Sequence, residues 1–387
     1  MRLLTQKWLG RLLLGLVVVA AIPATAAAEP SHTSRVVGHV YVDDNTTGVN
    51  TIAAFDRRAD GSLTAEPGSP FTAGGAGTGS GLASQGAIQL SSDRRFVIAV
   101  DPGSNEISVL RIEWDGALRL VPNGVVPSGG AMPVSVAVHG DVIYVANAGP
   151  GDTNYSGFRL SEWGVLRPIP GATIALPSDA QPGDVLFNAD GTRLVGTRVG
   201  TSQIDSFTID HAGRAVAAPG SPFPAQGLGP FGSEFRPTDP DQLFVSNAHN
   251  VGAGTGTVSA FNDAPDGTLT PIGSSPFGDL QTAPCWVEIS PDGRHLFTVN
   301  TASGTLSRYA IKRDGTLALL GRTPIRGTGG VGAVDARLSP DGRWLFVDES
   351  SAHAVGAFAV DGGNLTELAG SPTALPAGAA PAGVAVN

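Results

Sequence analysis

The chain of 387 residues carries 34 acidic and 24 basic side chains, for a net charge of −10, and 41% of its residues are hydrophobic. This apolar content excludes a disordered chain, and the 53 glycines and 29 prolines exclude a fold of long helices. Nucleic acid is excluded as a partner because phosphate recognition needs clustered basic side chains, whereas Lys312 is the only lysine after residue 28.

The first 28 residues differ in composition from the rest of the chain. Arg2, Lys7 and Arg11 precede an apolar run at residues 12–22, and small residues follow up to Ala28. This order is typical of a secretory signal peptide, and the run is shorter than the roughly 20 residues of a membrane span. We therefore predict a signal peptide at residues 1–28, a single domain at residues 29–387, and a secreted or extracytoplasmic protein. An uncleaved membrane anchor is the alternative.

Two turn motifs mark a repeat along the remaining chain. An Asp-Gly turn that leads to Leu begins at Asp60, Asp115, Asp266 and Asp314, and weaker copies begin at Trp163, Ala212 and Gly362. These seven copies lie about 50 residues apart, between short β-prone segments. A second motif, Ser-Pro-Asp-Gly-Arg, begins at Ser290 and Ser339. Because Asp-Gly supplies the positive φ angles of tight hairpins, both motifs predict β-hairpins.

Each repeat has room for four strands. In the sixth repeat we predict them at residues 287–290, 296–300, 306–311 and 317–322. Four strands in about 50 residues form a propeller blade, so the fold class is all-β, a seven-bladed β-propeller with four antiparallel strands per blade. The first repeat lacks an inner strand, and residues 381–387 have the pattern of one. We predict that this C-terminal strand completes blade one and closes the ring.

The repeat also resembles a known family. Its pieces are Ser-Pro-Asp-Gly-Arg, Leu-Phe-Val-Ser-Asn at residues 243–247, the Asp-Gly turn, and Gly-Ser-Pro-Phe at residues 68–71 and 220–223. Together they resemble the lactonase family of seven-bladed propellers, with relatives such as 6-phosphogluconolactonase, carboxymuconate cyclase and YVTN-type surface propellers. The resemblance covers essentially all of the chain after residue 28 and implies a lactone hydrolase or cycloisomerase. Residues 229–235 resemble the family's Gly-Pro-Arg-His stretch but lack its Arg and His, so we do not expect 6-phosphogluconolactonase activity.

Candidate site residues are those at which the inner strands differ between blades, because inner strands face the central channel. At the position of Glu288 in blade six, the other blades carry Ala385, Gln89, Ala137, Leu186, Glu234 and Arg337, in order from blade one. Two residues earlier, on the same strand face, come Asp184, Trp286 and Asp335. The catalytic candidates are Glu288, Glu234, Arg337, Asp335 and Glu349. The substrate-binding candidates are Gln89, Asp184 and Trp286.

Glu349 enters this set through the resemblance, because Asp348-Glu349 follows the second strand of blade seven where related lactonases often have Asn-Glu. Three interpretations of the other charged residues remain open. In the first, Arg337 polarises a lactone carbonyl while Glu288 or Glu234 activates water. In the second, Arg337 belongs to a salt-bridge network that fixes adjacent blades. In the third, Asp184, Glu234, Glu288 and Asp335 bind calcium.

Other reactive residues give weaker signals. Cys285 is the only cysteine and lies between Pro284 and Trp286 at a strand start, which predicts a buried thiol. Four histidines fall in or beside turns at non-equivalent blade positions and predict no metal cluster, namely His139, His249, His295 and His353. The glycines of residues 74–81 predict a flexible crossing between blades. We expect no cofactor.

Two functions remain for the predicted propeller. The first is a hydrolase or cycloisomerase of a small-molecule lactone, and the second is a non-catalytic propeller that binds a protein partner in the cell envelope. We expect a monomer in either case, with no integral membrane span after signal cleavage. An accessible pocket formed by Glu234, Glu288 and Arg337 favours the enzyme, whereas a plugged channel with these groups mutually paired favours the binding protein.

Overall fold

The turn motifs and β-prone segments fold into seven antiparallel sheets arranged as blades, which confirms the predicted seven-bladed propeller. The computed structural model describes residues 34–327 and 331–387, so the predicted signal peptide lies outside the described residues. Residues 35–387 form one compact unit. In the described part of the chain, no helix is long and apolar enough to cross a membrane.

The first four blades use both ends of the described chain. Blade one contains β1 (Val36–Asp43), β2 (Gly48–Arg58), β3 (Leu63–Ala65), β4 (Phe71–Gly77) and β32 (Gly383–Val386). Blade two contains β5 (Ile88–Leu90), β6 (Phe96–Asp101), β7 (Glu106–Ile112) and β8 (Leu118–Pro127). Blade three contains β9 (Pro133–His139), β10 (Val142–Asn147), β11 (Asn154–Leu160) and β12 (Leu166–Ala175). Blade four contains β13 (Pro182–Phe187), β14 (Arg193–Arg198), β15 (Gln203–Ile209), β16 (Ala215–Ala217) and β17 (Phe223–Pro224).

The remaining three blades follow in chain order. Blade five contains β18 (Pro230–Arg236), β19 (Asp239–Asn247), β20 (Thr257–Asp263), β21 (Leu269–Pro271) and β22 (Phe277–Gly278). Blade six contains β23 (Pro284–Ile289), β24 (His295–Asn300), β25 (Thr305–Ile311) and β26 (Leu317–Pro324). Blade seven contains β27 (Ala333–Leu338), β28 (Trp344–Glu349), β29 (Ala354–Asp361), β30 (Asn364–Glu367) and β31 (Thr373–Ala374), with a 3₁₀ turn at Ser350–Ala352.

The Asp-Gly turns pack on the neighbouring blade. Gly61 and Gly116 both have positive φ, and an added Cβ at either would collide with a ring of another blade, Trp344 for Gly61 and His39 for Gly116. The turn therefore needs glycine for its conformation and for the close approach of the next side chain. This packing explains why the motif recurs once per blade.

A Ser-Pro pair, within the Gly-Ser-Pro-Phe motif in two blades and within variants of it in two others, divides the outer strand of four blades into two segments. The four Ser-Pro bonds concerned are cis, at Ser69-Pro70, Ser221-Pro222, Ser275-Pro276 and Ser371-Pro372. In blade one the Ala54 N–H donates to Ser69 Oγ at 2.9 Å, and the equivalent serines accept the same bond in blades four, five and seven. The hydroxyl thus replaces a ladder hydrogen bond where the outer strand is interrupted.

The C-terminal strand closes the ring, as predicted. β32 pairs antiparallel with β1, with Val386 opposite Val40 and Val384 opposite Val42. Asn387 extends the closure, because its Oδ1 accepts the His39 backbone N–H at 2.6 Å. The prediction of a flexible crossing at residues 74–81 was wrong in part, since residues 74–77 belong to β4 and pair with β2.

The propeller has two faces. The loops that lead from one blade to the inner strand of the next lie on the side where the inner strands begin, which we call the crossover face. The turns after the inner strands lie on the opposite side, which we call the turn face. An inner-strand residue near the strand end is therefore closer to the turn face.

Candidate functional site

Equivalent inner-strand residues form a ring around the central channel. Glu234, Glu288 and Arg337 each lie opposite a phenylalanine of the second strand of their blade, so the strand register agrees with the alignment of the repeats. At the same position, Gln89 and Leu186 are half-buried, as are Glu234 and Arg337, while their neighbours facing the blades are mostly buried. We use the name channel ring for five residues at this position, which are Gln89, Leu186, Glu234, Glu288 and Arg337. Partial exposure of alternate residues indicates that the ring faces a hydrated channel.

Arg337 and Glu288 form an ion pair within the channel ring. Arg337 Nη1 lies 3.0 Å from Glu288 Oε1, with the arginine side chain 20% exposed and the glutamate side chain 7% exposed. Glu288 Oε2 accepts the backbone N–H of Leu338 at 3.0 Å. Burial raises the pKa of Glu288 to about 7, although Arg337 and the Leu338 N–H favour its charged form. Both oxygens of Glu288 are therefore held by blade seven.

Glu234 lies beside this ion pair and is not part of it. Its Oε2 is buried and has no hydrogen-bond partner among the described residues. Burial and then the Glu288 carboxylate raise the pKa of Glu234 well above its ordinary value, while the charge of Arg337 acts in the opposite direction. Glu288 Oε1 also lacks a hydrogen bond, but it is ion-paired with Arg337, so among the described residues of the channel ring Glu234 is the acid with an oxygen held by neither kind of contact.

The Asp184 carboxylate is used for hydrogen bonds to the two neighbouring blades. Its Oδ2 accepts the backbone N–H of Ser233 at 2.9 Å and the Ser233 hydroxyl at 2.6 Å. Its Oδ1 accepts the hydroxyl of Ser135 at 3.3 Å. Burial raises the pKa of Asp184 to about 7 in spite of these donors. Asp184 therefore links blades three, four and five.

Asp335 makes the corresponding link at the closing strand. Its Oδ2 accepts the backbone N–H of Val384 at 3.0 Å, and its Oδ1 accepts that of Ala336 at 2.9 Å. Burial raises its pKa to about 6. Asp335 has a φ of +23° at an irregularity in the pairing of β27 with β28. It is buried and holds blade seven to blade one.

Trp286 contacts a loop that crosses the channel. Its indole Nε1 donates to the Ser84 carbonyl oxygen at 2.8 Å, and its ring lies edge-on to Phe231, with the centroids 5.1 Å apart. The next residue of the loop, Gln85, donates its side-chain amide to the Ser233 carbonyl oxygen at 2.8 Å and accepts the Val287 N–H at 2.9 Å. Gln85 is buried. Neither loop residue is among the candidates predicted from the sequence.

Residues 84–86, the plug segment, also reach the other blades. The Gln85 backbone N–H donates to the Gly183 carbonyl oxygen at 2.9 Å, and the Ser84 hydroxyl donates to that of Val134 at 2.8 Å. The Gly86 N–H acts on Asp335 of blade seven, whose pKa it lowers. The plug segment thus contacts blades three to seven where the inner strands begin. The channel ring lies beyond it, toward the turn face.

The plug segment coincides with the departure from the family motif. At the two positions where the resemblance implies Arg and His, this chain has Phe231 and Gly232. Phe231 packs on Trp286, and an added Cβ at Gly232 would collide with Gln85 Oε1. The space that a larger side chain at position 232 would need is therefore filled by the plug.

Glu349 lies away from the channel ring. Its carboxyl is fully buried without a hydrogen-bond partner among the described residues, and the space it fills lies against Gly356 of the third strand. Burial and the nearby Glu367 raise its pKa to about 7, while Arg326 acts in the opposite direction. Arg326 follows the outer strand of blade six. Glu349 thus faces the interface between blades six and seven.

Above the plug segment, the crossover face carries a cavity of about 330 Å³. Its apolar lining includes Leu82, Met132, Pro150, Val199 and Phe231, and its polar lining includes Ser178, Gln181 and His249. The exposed His249 was interpreted from the sequence as a loop residue, and the structure adds that it borders this cavity. Mostly apolar cavities with a few polar groups are typical of small-molecule sites.

Cys285 is buried, which confirms the predicted buried thiol, and burial raises its pKa to about 11. The calcium interpretation gains no support. In the described part of the chain, no three of the channel acids bring ligand atoms within 4.8 Å of one another.

Comparison with known proteins supports the resemblance. The family model described as a lactonase, seven-bladed β-propeller, matches residues 233–381. A 6-phosphogluconolactonase of Yersinia pestis is 24% identical over 295 residues, covering 72% of this chain and 80% of the relative. A relative from Yersinia pseudotuberculosis with the same name has the same identity and coverage.

Solved structures give the same fold. A putative 6-phosphogluconolactonase from Bacteroides uniformis has a TM-score of 0.71 and 20% identity, covering 91% of this chain and all of the other. A periplasmic gluconolactonase from Pseudomonas aeruginosa has a TM-score of 0.67 and 18% identity, covering 90% of this chain and 98% of the other. The resemblance predicted from the motifs is confirmed, and the chain is a lactonase-like seven-bladed propeller.

Proposed function

We propose that this protein is an exported hydrolase of unphosphorylated lactones, with Glu234 as its general base. The observation that carries this proposal is the Glu234 carboxyl, which keeps a buried oxygen without a protein partner beside the Arg337 guanidinium. A carboxylate and a cation at one hydrated position are the two groups that lactone hydrolysis requires.

The reaction uses the two groups in sequence. Deprotonated Glu234 accepts a proton from a water molecule as the water oxygen bonds to the lactone carbonyl carbon. Arg337 stabilises the negative charge that develops on the carbonyl oxygen. The ring C–O bond then breaks, and its oxygen takes the proton back from Glu234, which leaves an open-chain hydroxy acid. Glu288 is a positioning residue, because one of its oxygens is ion-paired with Arg337 and the other accepts the Leu338 N–H.

The charges of the site favour a substrate without a phosphate. Among the described residues, Arg337 is the cation that acts on Glu234 and Glu288, and Asp184 and Asp335 also lie within its field. Four acids around one arginine repel a dianionic phosphate. Although the relatives compared by sequence are named 6-phosphogluconolactonases, we propose a neutral lactone, for which the periplasmic gluconolactonase of similar fold is the nearer analogy.

Export is part of the proposal and depends on residues 1–28. Their basic start, apolar run and small residues have the order of a secretory signal. Mass spectrometry of the protein recovered from the culture medium or periplasm of an expressing cell tests this directly. We expect a new N-terminus near Glu29, and retention of residues 1–28 would contradict the proposal.

The activity is tested with a panel of unphosphorylated sugar and aliphatic lactones and the purified protein. We expect hydrolysis by the wild type and a fall in kcat of about 100-fold or more in Glu234→Gln, the size of effect typical for loss of a general base. Glu162→Gln, which changes an exposed glutamate far from the channel, is the matched control. Loss of activity in both variants, or in neither, contradicts the assignment of Glu234.

A second function, a non-catalytic propeller that binds a ligand or partner in the envelope, is favoured by the plug segment. Gln85 closes the crossover side of the channel, and the adjacent cavity is lined mainly by apolar groups. If no lactone is hydrolysed by the wild type, pull-down of envelope proteins becomes the decisive experiment. Phe231→Asp should then abolish partner capture, whereas Glu234→Gln should capture the partner like the wild type.

A further inference from the structure

A histidine and two acids converge at the rim of blade one, outside the channel. His39 on β1 and Asp56 on β2 are cross-strand partners, and Glu66 follows β3 in the same blade. One ligand atom from each of the three lies within 4.8 Å of the other two. Among the described residues, it is the one group of three His, Cys, Asp or Glu side chains whose ligand atoms lie this close together.

The distance between the imidazole and the nearest acid fits a shared ligand. His39 Nε2 lies 3.6 Å from Asp56 Oδ1, which is too long for a hydrogen bond. Two ligand atoms on one Zn²⁺ ion, each about 2.0–2.2 Å from the metal, are separated by about 3–4 Å. The side chains of His39 and Asp56 are 14% and 21% exposed, so the pair is reachable from solvent.

Glu66 supplies a buried carboxyl that forms no ion pair with the described part of the chain. It is 6% exposed. Its carboxyl contacts that of Asp56, and burial together with this second acid raises the pKa of Glu66 to about 7. Two carboxyl groups and an imidazole around one point form a site that a divalent cation would satisfy.

The His39 ring is held in place by the next blade. An added Cβ at Gly116 would collide with Cδ2 and Nε2 of His39, so the ring lies directly against this turn. Support around a ligand side chain fixes its orientation, as in known metal sites. The His39 backbone N–H also donates to the side chain of Asn387, the residue after the closing strand. A metal ion here would therefore join groups next to the ring closure.

The chain contains its own control site. His295 begins the second strand of blade six and packs against Gly363 as His39 packs against Gly116. Its cross-strand partner is Ala310 in place of an acid. The two histidines thus share a backbone setting and differ in their carboxylate neighbours.

An open groove borders the site. It is lined by residues of blades one and two, which include His39, Asp56, Glu113, Trp114, Asp115 and Asn387. Its volume is about 740 Å³. A metal ion held by three protein ligands would have room for water on the groove side, as in metal sites with an open coordination position.

We propose that His39, Asp56 and Glu66 bind a divalent transition-metal ion, with Zn²⁺ as the representative ion. The imidazole nitrogen distinguishes this site from one for Mg²⁺ or Ca²⁺, which prefer all-oxygen ligands. The site is independent of the channel and of the proposed hydrolase activity.

The test is calorimetric titration of the purified full-length chain with Zn²⁺, together with the melting temperature before and after addition. We expect about one Zn²⁺ per chain and a rise in Tm on binding. Co²⁺ in place of Zn²⁺ should give visible absorption bands that report nitrogen and oxygen ligation. Ca²⁺ should produce neither heat nor a shift in Tm.

Variants separate metal binding from folding. Glu66→Gln and Asp56→Asn should weaken Zn²⁺ binding by more than about tenfold while the metal-free Tm stays equal or rises, because each removes one of two facing acids. His295→Asn should bind Zn²⁺ like the wild type. Equal Zn²⁺ binding by Glu66→Gln, Asp56→Asn and the wild type would overturn the proposal, as would the absence of Zn²⁺ binding by the wild type.

Discussion

Glu288 and Arg337 join two blades at the centre of the ring. Arg337 Nη1 lies 3.0 Å from Glu288 Oε1, and the other oxygen of Glu288 accepts the N–H of Leu338, the residue after Arg337. The same carboxylate thus binds both a side chain and the backbone of blade seven. Because Arg337 also faces Glu234, Asp184 and Asp335, it is the charge that compensates the acids of the channel.

Replacing this arginine should destabilise the fold. Arg337→Met leaves Glu288 and its neighbouring acids buried without a cation, and loss of one partner of a buried pair costs about 3–5 kcal/mol. We expect a loss of about 2–4 kcal/mol in the free energy of unfolding at pH 8, because protonation of Glu288 relieves part of the penalty. Urea unfolding followed by circular dichroism measures this change.

The double variant Glu288→Gln, Arg337→Met provides the control. Removing both charges should recover a large part of the stability lost in Arg337→Met, since no ionised Glu288 is left unpaired. If the two single changes were simply additive, the ion pair would not be the source of the effect.

The buried acids also set the pH dependence of stability. Burial raises the pKa of Asp184 and Glu288 to about 7 and that of Asp335 to about 6. Between about pH 4 and these values the native state binds more protons than the unfolded state, so the free energy of unfolding falls as pH rises. We expect the protein to be more stable at pH 5.5 than at pH 8 by about 2–4 kcal/mol. A flat profile in urea unfolding over this range would contradict these shifts.

The architecture could be predicted from sequence because it repeats. Seven turns at a spacing of about 50 residues define seven blades, and the match of residues 381–387 to an inner strand identifies the closure. The channel ring followed from counting within these repeats, because the strand register is the same in each blade. Periodicity therefore carried both predictions.

The plug segment could not be predicted in this way. Gln85 lies four residues before Gln89, where five other blades already begin their inner strand, and its side chain binds backbone groups of Ser233 and Val287, far away in the chain. A side chain that binds distant backbone groups leaves no pattern of residue types. Glu349 was assigned to the site by the family motif, whereas the alternation of side chains along β28 directs it to the blade interface.

Gln85→Ala tests the plug directly. It leaves the Ser233 carbonyl and the Val287 N–H buried without their partners, at about 1–3 kcal/mol each. We therefore expect a loss of about 2–4 kcal/mol in the free energy of unfolding. Gln203→Ala, at a half-buried strand position, is the matched control and should change stability by less than about 1 kcal/mol. Equal effects of the two variants would show that the plug contacts are not stabilising.

The strand end of blade seven departs from the pattern of its neighbours. In blade six the Asn300 side chain donates to Ser307 Oγ at 2.8 Å, and blade five has the same bond between Asn247 and Ser259. By strand register, Glu349 occupies the asparagine position and Gly356 the serine position. The larger acid therefore takes the space of the serine hydroxyl.

Gly356→Ser should destabilise the protein by about 1–3 kcal/mol, because its Cβ would collide with Glu349 Oε1 in a filled interior. Adding Glu349→Asn should restore the hydrogen bond found in blade six and return the free energy of unfolding to within about 1 kcal/mol of the wild type. Chemical denaturation of the two single variants and the double variant gives the coupling energy, which we expect to exceed about 1 kcal/mol. Additive effects would mean that Glu349 and Gly356 do not share this space. Because Glu349 lies away from the channel ring, the double variant should also keep the lactone hydrolysis of the wild type.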